Sequence, residues 1–148
     1  MNLLMPVSSI MSRNLHVILA TDNLSLVKDI FDRKTILHIP VMRHGRVVGI
    51  INRTDFRSFQ SGLDKSFDNP SMTQSLLPSY VAEEIMNDKV TFLEPTDRLN
   101  VALEMLRDNI FTALPVLDGE KLVGLINALD VVKALSKEKA AELHYQIF

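Results

Sequence analysis

The sequence predicts an α+β fold of the α/β type, in which two copies of one β-α-β-β-α unit pack around a pseudo-twofold axis. The 148-residue chain aligns with itself without a gap when it is shifted by 75 positions, and about a dozen residues are then identical. Within each copy, apolar residues recur first at strand spacing and then at helix spacing. A fixed internal period of this kind indicates a duplicated structural unit.

The identical positions are spread along both copies, so the duplication covers the whole unit. They comprise Ile10-Met11 with Ile85-Met86, Thr21-Asp22 with Thr96-Asp97, Leu24 with Leu99, Pro40-Val41 with Pro115-Val116, Val48-Gly49 with Val123-Gly124, Ile51-Asn52 with Ile126-Asn127, and Asp55 with Asp130.

The elements follow one order in both copies. A short helical turn ends at Ile-Met, and an apolar strand follows over 15–19 and 90–93. A Thr-Asp pair, of the residue types that cap helices, precedes a helix with apolar residues at helical spacing. Two strands joined by a glycine-containing turn come next. The last helix begins at Asn52 in the first copy and at Asn127 in the second.

These elements divide the chain into a first motif at 1–62, a connector at 63–79 and a second motif at 80–148. The joint at 61–80 is rich in Ser, Asp, Asn and Pro and lacks a sustained pattern, so we read it as a connector. The stretch from Ser136 to Phe148 is predicted to extend the last helix. A single copy of this size is marginal alone, and two copies can cover each other's apolar surfaces.

Composition narrows the classes of function. The chain is 47% hydrophobic and 23% charged, with a net charge of −2, which gives no general attraction to nucleic acid or to an anionic membrane. It has no cysteine, and no apolar run approaches the ~20 residues of a membrane helix. We therefore expect a cytoplasmic protein. Its four histidines lack metal-ligand spacing, and no nucleophile or acid–base constellation is visible, so we predict neither a metal site nor an enzyme.

The repeated motifs of the chain resemble those of a known family. The signatures are Ile-Met at the start of each motif, Ile39-Pro40-Val41 and Leu114-Pro115-Val116 in the middle, and the tails Gly49-Ile50-Ile51-Asn52-Arg53-Thr54-Asp55 and Gly124-Leu125-Ile126-Asn127-Ala128-Leu129-Asp130. Their order, spacing and duplication over roughly residues 7–135 resemble a tandem pair of CBS (cystathionine β-synthase) domains, a Bateman module. The resemblance implies two motifs packed through their sheets, which often dimerise into a flat disk.

The resemblance also implies a ligand and its site. Clefts of this family commonly bind adenosine nucleotides or S-adenosylmethionine, and binding regulates a partner. In this chain, the resemblance implies that Asp55 and Asp130 bind the ribose. The Ser/Thr position that helps to hold phosphate is Asn52 in one copy and Asn127 in the other, a departure in both. The implied adenine slots are Val17, Ile18, His38, Ile39 and Pro40 in the first copy, and Phe92, Leu93, Ala113, Leu114 and Pro115 in the second.

The residues themselves favour the first tail for phosphate. A helix that starts at Asn52 presents unpaired N–H groups to an anion, and Arg53 adds a positive charge. The second tail has Ala128 and Leu129 in place of Arg53 and Thr54. An alternative interpretation is that the two Asn-x-x-Asp sequences only cap their helices.

Two functions remain open from the sequence. The first is a regulatory module, without catalytic activity or a required cofactor, that senses AMP, ADP, ATP or S-adenosylmethionine. It is expected to form a homodimer and to modulate an unidentified effector protein. The second is a ligand-free structural module for dimerisation or interaction, which the two Asn substitutions and the missing basic residue of the second tail favour.

Overall fold

The computed structural model of the chain describes residues 1–108 and 110–138, without the side chains of Pro70 and Ser71. Short 3₁₀ turns occupy Val7–Ser9 and Leu77–Ser79. The strands are β1 (Ile18–Leu19), β2 (His38–Arg43), β3 (Arg46–Asn52), β4 (Ala113–Asp118) and β5 (Lys121–Asn127). The helices are α1 (Leu24–Arg33), α2 (Arg53–Phe67), α3 (Pro70–Leu76), α4 (Ala82–Ile85), α5 (Leu99–Arg107) and α6 (Ala128–Ser136).

The two copies form matching sheets of unequal size. In the first, β1 pairs parallel with β2, and β2 pairs antiparallel with β3. In the second, β4 and β5 form the same antiparallel hairpin, with its irregularity at the equivalent position. The predicted β-α-β-β-α order is therefore confirmed, although the first strand is short. Only Ile18 and Leu19 pair in the first copy, and only a single parallel bridge from Leu93 to Val116 forms in the second.

The Thr-Asp pairs were predicted to cap the helices, and here the prediction was wrong. Asn23 caps α1 by accepting a hydrogen bond from the Ser25 N–H, at 2.9 Å. The Asp22 carboxylate instead accepts from the Leu19 N–H at 2.7 Å. The equivalent pair in the second copy, Asp97 and Glu94, makes the same bond at 2.7 Å. Each aspartate thus closes a turn between the strand and the helix, one step before the cap.

The segment predicted as a patternless connector is helical. Helix α2 continues to Phe67, and α3 and the 3₁₀ turn at 77–79 follow it. The side chains of Leu63 and Leu77 are buried, and they join the core of the first copy. These two leucines lie too far apart in the sequence to show a helical period. Residues 139–148, which include most of the predicted C-terminal extension, lie outside the described residues.

Each hairpin has its own core, which the opening turn of the other copy completes: Ala82 belongs to the first core, and Val7 and Met11 belong to the second. A small apolar seam joins the two cores. The seam consists of Ile50, Ala113 and Leu125, with Leu15 and Val90 packed against them. Around it the two copies exchange backbone hydrogen bonds reciprocally. Ser12 and Leu125 bond to each other at 2.8 and 2.9 Å, and the equivalent pair Asn87 and Ile50 does so at 2.9 and 3.0 Å. Each motif therefore adds its N-terminal segment to the outer edge of the other motif's hairpin, as a pseudo-twofold relation requires. None of the described helices is long and apolar enough to cross a membrane.

Candidate functional site

The two motifs leave an open cleft of about 260 Å³ at the start of α6. One wall is the segment before β2, the other is the end of β5 with the first turns of α6, and the N-terminal segment closes the side. Its lining residues are Ser12, Asn14, Leu15, His16, Thr35, Ile36, Leu37, His38, Leu125, Asn127, Leu129, Asp130 and Lys133. Both motifs contribute to this lining, so the cleft depends on their packing.

The pseudo-symmetric position at the start of α2 is nearly filled, with a volume of about 10 Å³. It is lined by Ile50, Asn52, Asn87, Lys89, Val90, Phe111, Thr112 and Ala113, and each of these lies 75 positions from a residue of the open cleft. Three of the exchanges add bulk, because Phe111 stands where the open cleft has Ile36, Lys89 where it has Asn14 and Asn87 where it has Ser12. The sequence favoured the first tail for phosphate, whereas the structure opens the cleft at the second.

Asp130 is the polar centre of the open cleft. Its carboxylate accepts hydrogen bonds from the Asn127 N–H at 2.9 Å and from the Ser12 hydroxyl at 3.3 Å. Asn127 completes a capping box by accepting from the Asp130 N–H at 3.0 Å. Burial raises the pKa of Asp130. The hydrogen bonds that its carboxylate accepts from the Asn127 N–H and the Ser12 hydroxyl, together with the charge of Lys133, partly offset that rise. The carboxylate is thereby fixed in place and keeps further acceptor capacity towards the cleft.

His38 reaches into the cleft from the first motif and links it to that cap. The Asn127 side-chain amide lies 3.4 Å from His38 Nδ1, and because an amide nitrogen only donates, this imidazole nitrogen is the acceptor. Burial lowers the pKa of His38 to about 4, and the charge of Asp55 opposes that shift. The imidazole is therefore neutral near pH 7.

The first tail has the same cap without the same site. Asn52 accepts from the Asp55 N–H at 2.7 Å, so both predicted caps are present. Both Asp55 and Thr54 are exposed, and neither lines the filled cleft. The reciprocal bond from the aspartate to the cap residue is found only in the second copy.

Arg53 was expected to offer a free positive charge to phosphate, and its position contradicts this expectation. Its guanidinium donates to the carbonyl oxygens of Ile36 at 3.0 and 2.7 Å, of Phe31 at 2.8 Å and of Lys34 at 2.6 Å. It also lies over the Phe31 ring, with Cζ 4.9 Å from the centroid. Carbonyls at the end of α1 lack partners within the helix, and Arg53 supplies those partners.

The ten residues predicted to form the adenine slots occupy different environments in the structure. His38 lines the open cleft, and Ala113 lines the filled one. Val17 and Phe92, which are equivalent positions, are 47% and 41% exposed and line neither space. The remaining six, all buried, are Ile18, Ile39, Pro40, Leu93, Leu114 and Pro115. His16, Thr35, Leu129 and Lys133 also line the open cleft, and the sequence analysis did not predict them.

Comparisons with known proteins identify the family. The family model for the CBS domain matches residues 7–62 and 81–137. The chain therefore belongs to the CBS domain family and carries two copies of the domain in tandem, which confirms the resemblance derived from the motifs.

Three relatives illustrate the likeness. The uncharacterized protein MJ1225 of Methanocaldococcus jannaschii is 36% identical over 98 residues, which are 64% of this chain and 34% of that protein. Its crystal structure superposes with a TM-score of 0.74 at 28% identity, over 91% of this chain and 49% of the other. The CBS domain pair of protein MJ0100, in complex with 5′-methylthioadenosine and S-adenosyl-L-methionine, gives 0.69 at 19% identity over 92% and 99% of the two chains. CBSX2 in complex with AMP gives 0.70 at 22% identity over 90% and 97%. This chain thus matches between a third and a half of the first relative's length.

Proposed function

We propose that this CBS pair is a regulatory module that binds an adenosine-containing ligand in the open cleft at Asp130 and has no catalytic activity of its own. The observation that carries the proposal is the convergence of His38, Asn127 and Asp130, from both motifs, on one open space. The complexes of MJ0100 with S-adenosyl-L-methionine and of CBSX2 with AMP support the ligand class.

The chemistry of the cleft suits a nucleoside. An ionised carboxylate such as Asp130 accepts hydrogen bonds from a ribose diol through its two oxygens. Apolar side chains of Leu15, Ile36 and Leu125 offer a dry surface to the faces of a base. The neutral His38 adds a hydrogen-bonding group without a charge. AMP, ADP, ATP and S-adenosylmethionine all carry the adenosine part that these features recognise.

Regulation follows from the position of the cleft between the motifs. A ligand that contacts both walls stabilises the packing arrangement that fits it best, and the shift equals its difference in affinity between arrangements. The output acts on another chain, either a second copy in a homodimer or a separate effector protein.

The proposal is tested by isothermal titration with adenosine, AMP, ADP, ATP and S-adenosylmethionine. We expect Asp130→Ala to weaken the tightest of these ligands by about tenfold or more, since hydrogen bonds to a charged group are lost. Asp55→Ala, the equivalent change at the start of α2, is the matched control and should change the affinity less than threefold. Equal losses in the two variants would place the site elsewhere, and no binding by any of the five ligands would overturn the proposal.

A module for dimerisation without a ligand is the second candidate, because α5 and α6 leave an apolar groove of about 540 Å³ beside Leu3. Val132 lines this groove and is 57% exposed. If two copies meet there, Val132→Glu should convert a dimer into a monomer in light scattering at known concentration. Leu19→Glu, at a 56% exposed residue of β1, is the control and should leave the dimer intact. A monomeric wild-type chain would remove this candidate.

A further inference from the structure

The groove between α5 and α6 is an apolar surface on the face of α6 opposite the cleft at Asp130. Its apolar lining consists of Leu3, Leu103, Leu106, Ala128, Val131 and Val132. Leu3 and Val132 are exposed, and so is Leu135 one turn further along α6. Contiguous exposed apolar surface of this kind marks a place where another segment or another molecule binds.

The first motif has the equivalent surface with the opposite polarity. Lys28 of α1 occupies the position equivalent to Leu103. Arg57 of α2 occupies the position equivalent to Val132, and Gln60 stands where the second motif has Leu135. The two copies have therefore diverged from each other in the residues of this one surface.

In the first motif, the chain that follows the last helix folds back over this surface. Helix α3 comes directly after α2, and its Thr73 lines a pocket together with Lys28 and Arg57. Thr73 is buried, and its hydroxyl donates a hydrogen bond to the Asp64 carboxylate of α2. A polar segment thus covers a polar surface, so the fold itself shows how this part of a motif is closed.

The chain that follows α6 has the polarity of the second surface. Residues 139–148 read Lys-Ala-Ala-Glu-Leu-His-Tyr-Gln-Ile-Phe. Large apolar or aromatic side chains occupy four of the positions from 143 onwards, namely Leu143, Tyr145, Ile147 and Phe148. This segment is suited to an apolar surface, as α3 is suited to a polar one.

The segment is long enough to reach the groove of its own chain. Glu138 pairs with the amino group of Met1 at 2.9 Å, which places the start of the segment beside the N-terminal residues that include Leu3. The distance back from Glu138 to Val132 is about 9 Å along a helix axis at about 1.5 Å per residue. Five extended residues span about 17 Å, so Leu143 can lie over the groove after one reversal of the chain.

We infer that residues 139–148 bind in the α5–α6 groove of their own chain, with the apolar side chains from Leu143 onwards packed against Val132 and Leu135. The inference goes beyond the proposed function, because the groove lies on the other face of α6 from the ligand cleft. It also closes the groove to a second copy, so this arrangement and dimerisation through the same groove exclude each other.

Engineered disulfides test the contact directly, because the chain has no cysteine. In the full chain, V132C is combined in turn with L143C, I147C or F148C, and oxidation is followed on non-reducing gels. The matched control is K133C with the same partners, since Lys133 is also exposed and adjacent in sequence but lies about 100° around the helix. A disulfide requires Cα atoms about 4.4–6.8 Å apart, so at least one V132C pair should close within one chain roughly tenfold faster than its K133C counterpart.

Two outcomes of the oxidation would overturn the inference. Disulfides that form between two chains rather than within one would place the segment on a second copy. Equal rates for the V132C and K133C pairs would show that the segment does not bind in the groove. Neither outcome involves the ligand, so the proposed function stands or falls separately by titration at the Asp130 cleft.

Melting temperature provides a second measurement that needs no cysteine. L143E/I147E places two charges against the apolar groove, and we expect the melting temperature to fall by about 2–4 °C or more. K139Q/E142Q changes charged residues of the same segment and keeps its apolar side chains, so its melting temperature should stay within about 1 °C of wild type. Equal melting temperatures for wild type and L143E/I147E would also overturn the inference.

Discussion

Met11 packs so closely over Gly124 that a Cβ atom on the glycine would overlap the methionine Sδ and Cγ. Met86 covers Gly49 in the same way, so the contact is repeated by the internal symmetry. In both cases the methionine ends one motif's opening turn and the glycine lies in the other motif's hairpin. Each glycine therefore serves the fit between the motifs rather than a turn.

Replacing either glycine should destabilise the chain. Gly124→Ala adds a methyl group where Met11 leaves no space, and we expect the free energy of unfolding to fall by about 1–3 kcal/mol. Urea denaturation measures the change. Gly62→Ala is a control of opposite sign, because Gly62 is exposed within α2 with open space around it, and alanine there should add roughly 0.5–1 kcal/mol. Equal stabilities for wild type and Gly124→Ala would contradict the contact.

Arg53 should act on stability rather than on the ligand. Arg53→Ala leaves carbonyl oxygens of Phe31 and Ile36 without their charged donor, and we expect a loss of about 2–3 kcal/mol. Arg57→Ala, at an exposed position one turn along the same helix, should stay within about 0.5 kcal/mol of wild type. Ligand affinity at the Asp130 cleft should be unchanged in both variants. A stable Arg53→Ala protein with weakened nucleotide binding would restore the phosphate role.

His38 should make the fold sensitive to acid. Its pKa is about 4 in the folded chain, against 6.5 for an ordinary histidine, so below pH 6.5 the unfolded chain takes up the proton first. Stability should therefore fall as the pH drops from about 6.5 to about 4, by up to roughly 3 kcal/mol, and this contribution levels off below pH 4. His38→Ala installs the residue found at the equivalent position, Ala113, and should flatten the slope in that window. A His38 imidazole that titrates near pH 6.5 by NMR would contradict the assignment.

Unequal clefts predict one ligand per chain. Phe111 and Lys89 occupy space at the start of α2, and the double substitution K89N/F111I installs the smaller residues that the open cleft has at these two positions. We expect the stoichiometry in titration to rise from one towards two, or the second affinity to become measurable. Two sites of equal affinity in the wild type would show that the filled position opens readily.

Much of this fold could be predicted because a duplicated chain states its pattern twice. The strands around Pro40 and Pro115 and the caps at Asn52 and Asn127 follow from local residue types at repeated spacing. The helical connector could not be predicted, because Leu63 and Leu77 stabilise it only by packing on a core that is formed by residues distant in the sequence. The assignment of the two Thr-Asp pairs as helix caps failed because aspartate closes turns as readily as it caps helices.

The candidate site was harder to predict than the fold. The repeat makes the two tails look alike, and the extra positive charge favoured the first. Arg53 is engaged by carbonyls that lie 17 to 22 positions earlier in the chain, a relation that local sequence does not encode. The open cleft depends on side chains across the seam, where Ile36 and Asn14 leave space that Phe111 and Lys89 occupy in the other copy.

The reciprocal bonding of Ser12 to Leu125 and of Asn87 to Ile50 means that neither motif completes its own hairpin edge. A chain cut near residue 68 would yield two fragments, each with an open strand edge that only the other fragment fits. Such fragments should remain poorly folded when separate and should recover native structure on mixing. The same backbone hydrogen bonds can form between two intact chains, so a high protein concentration during refolding favours domain-swapped dimers.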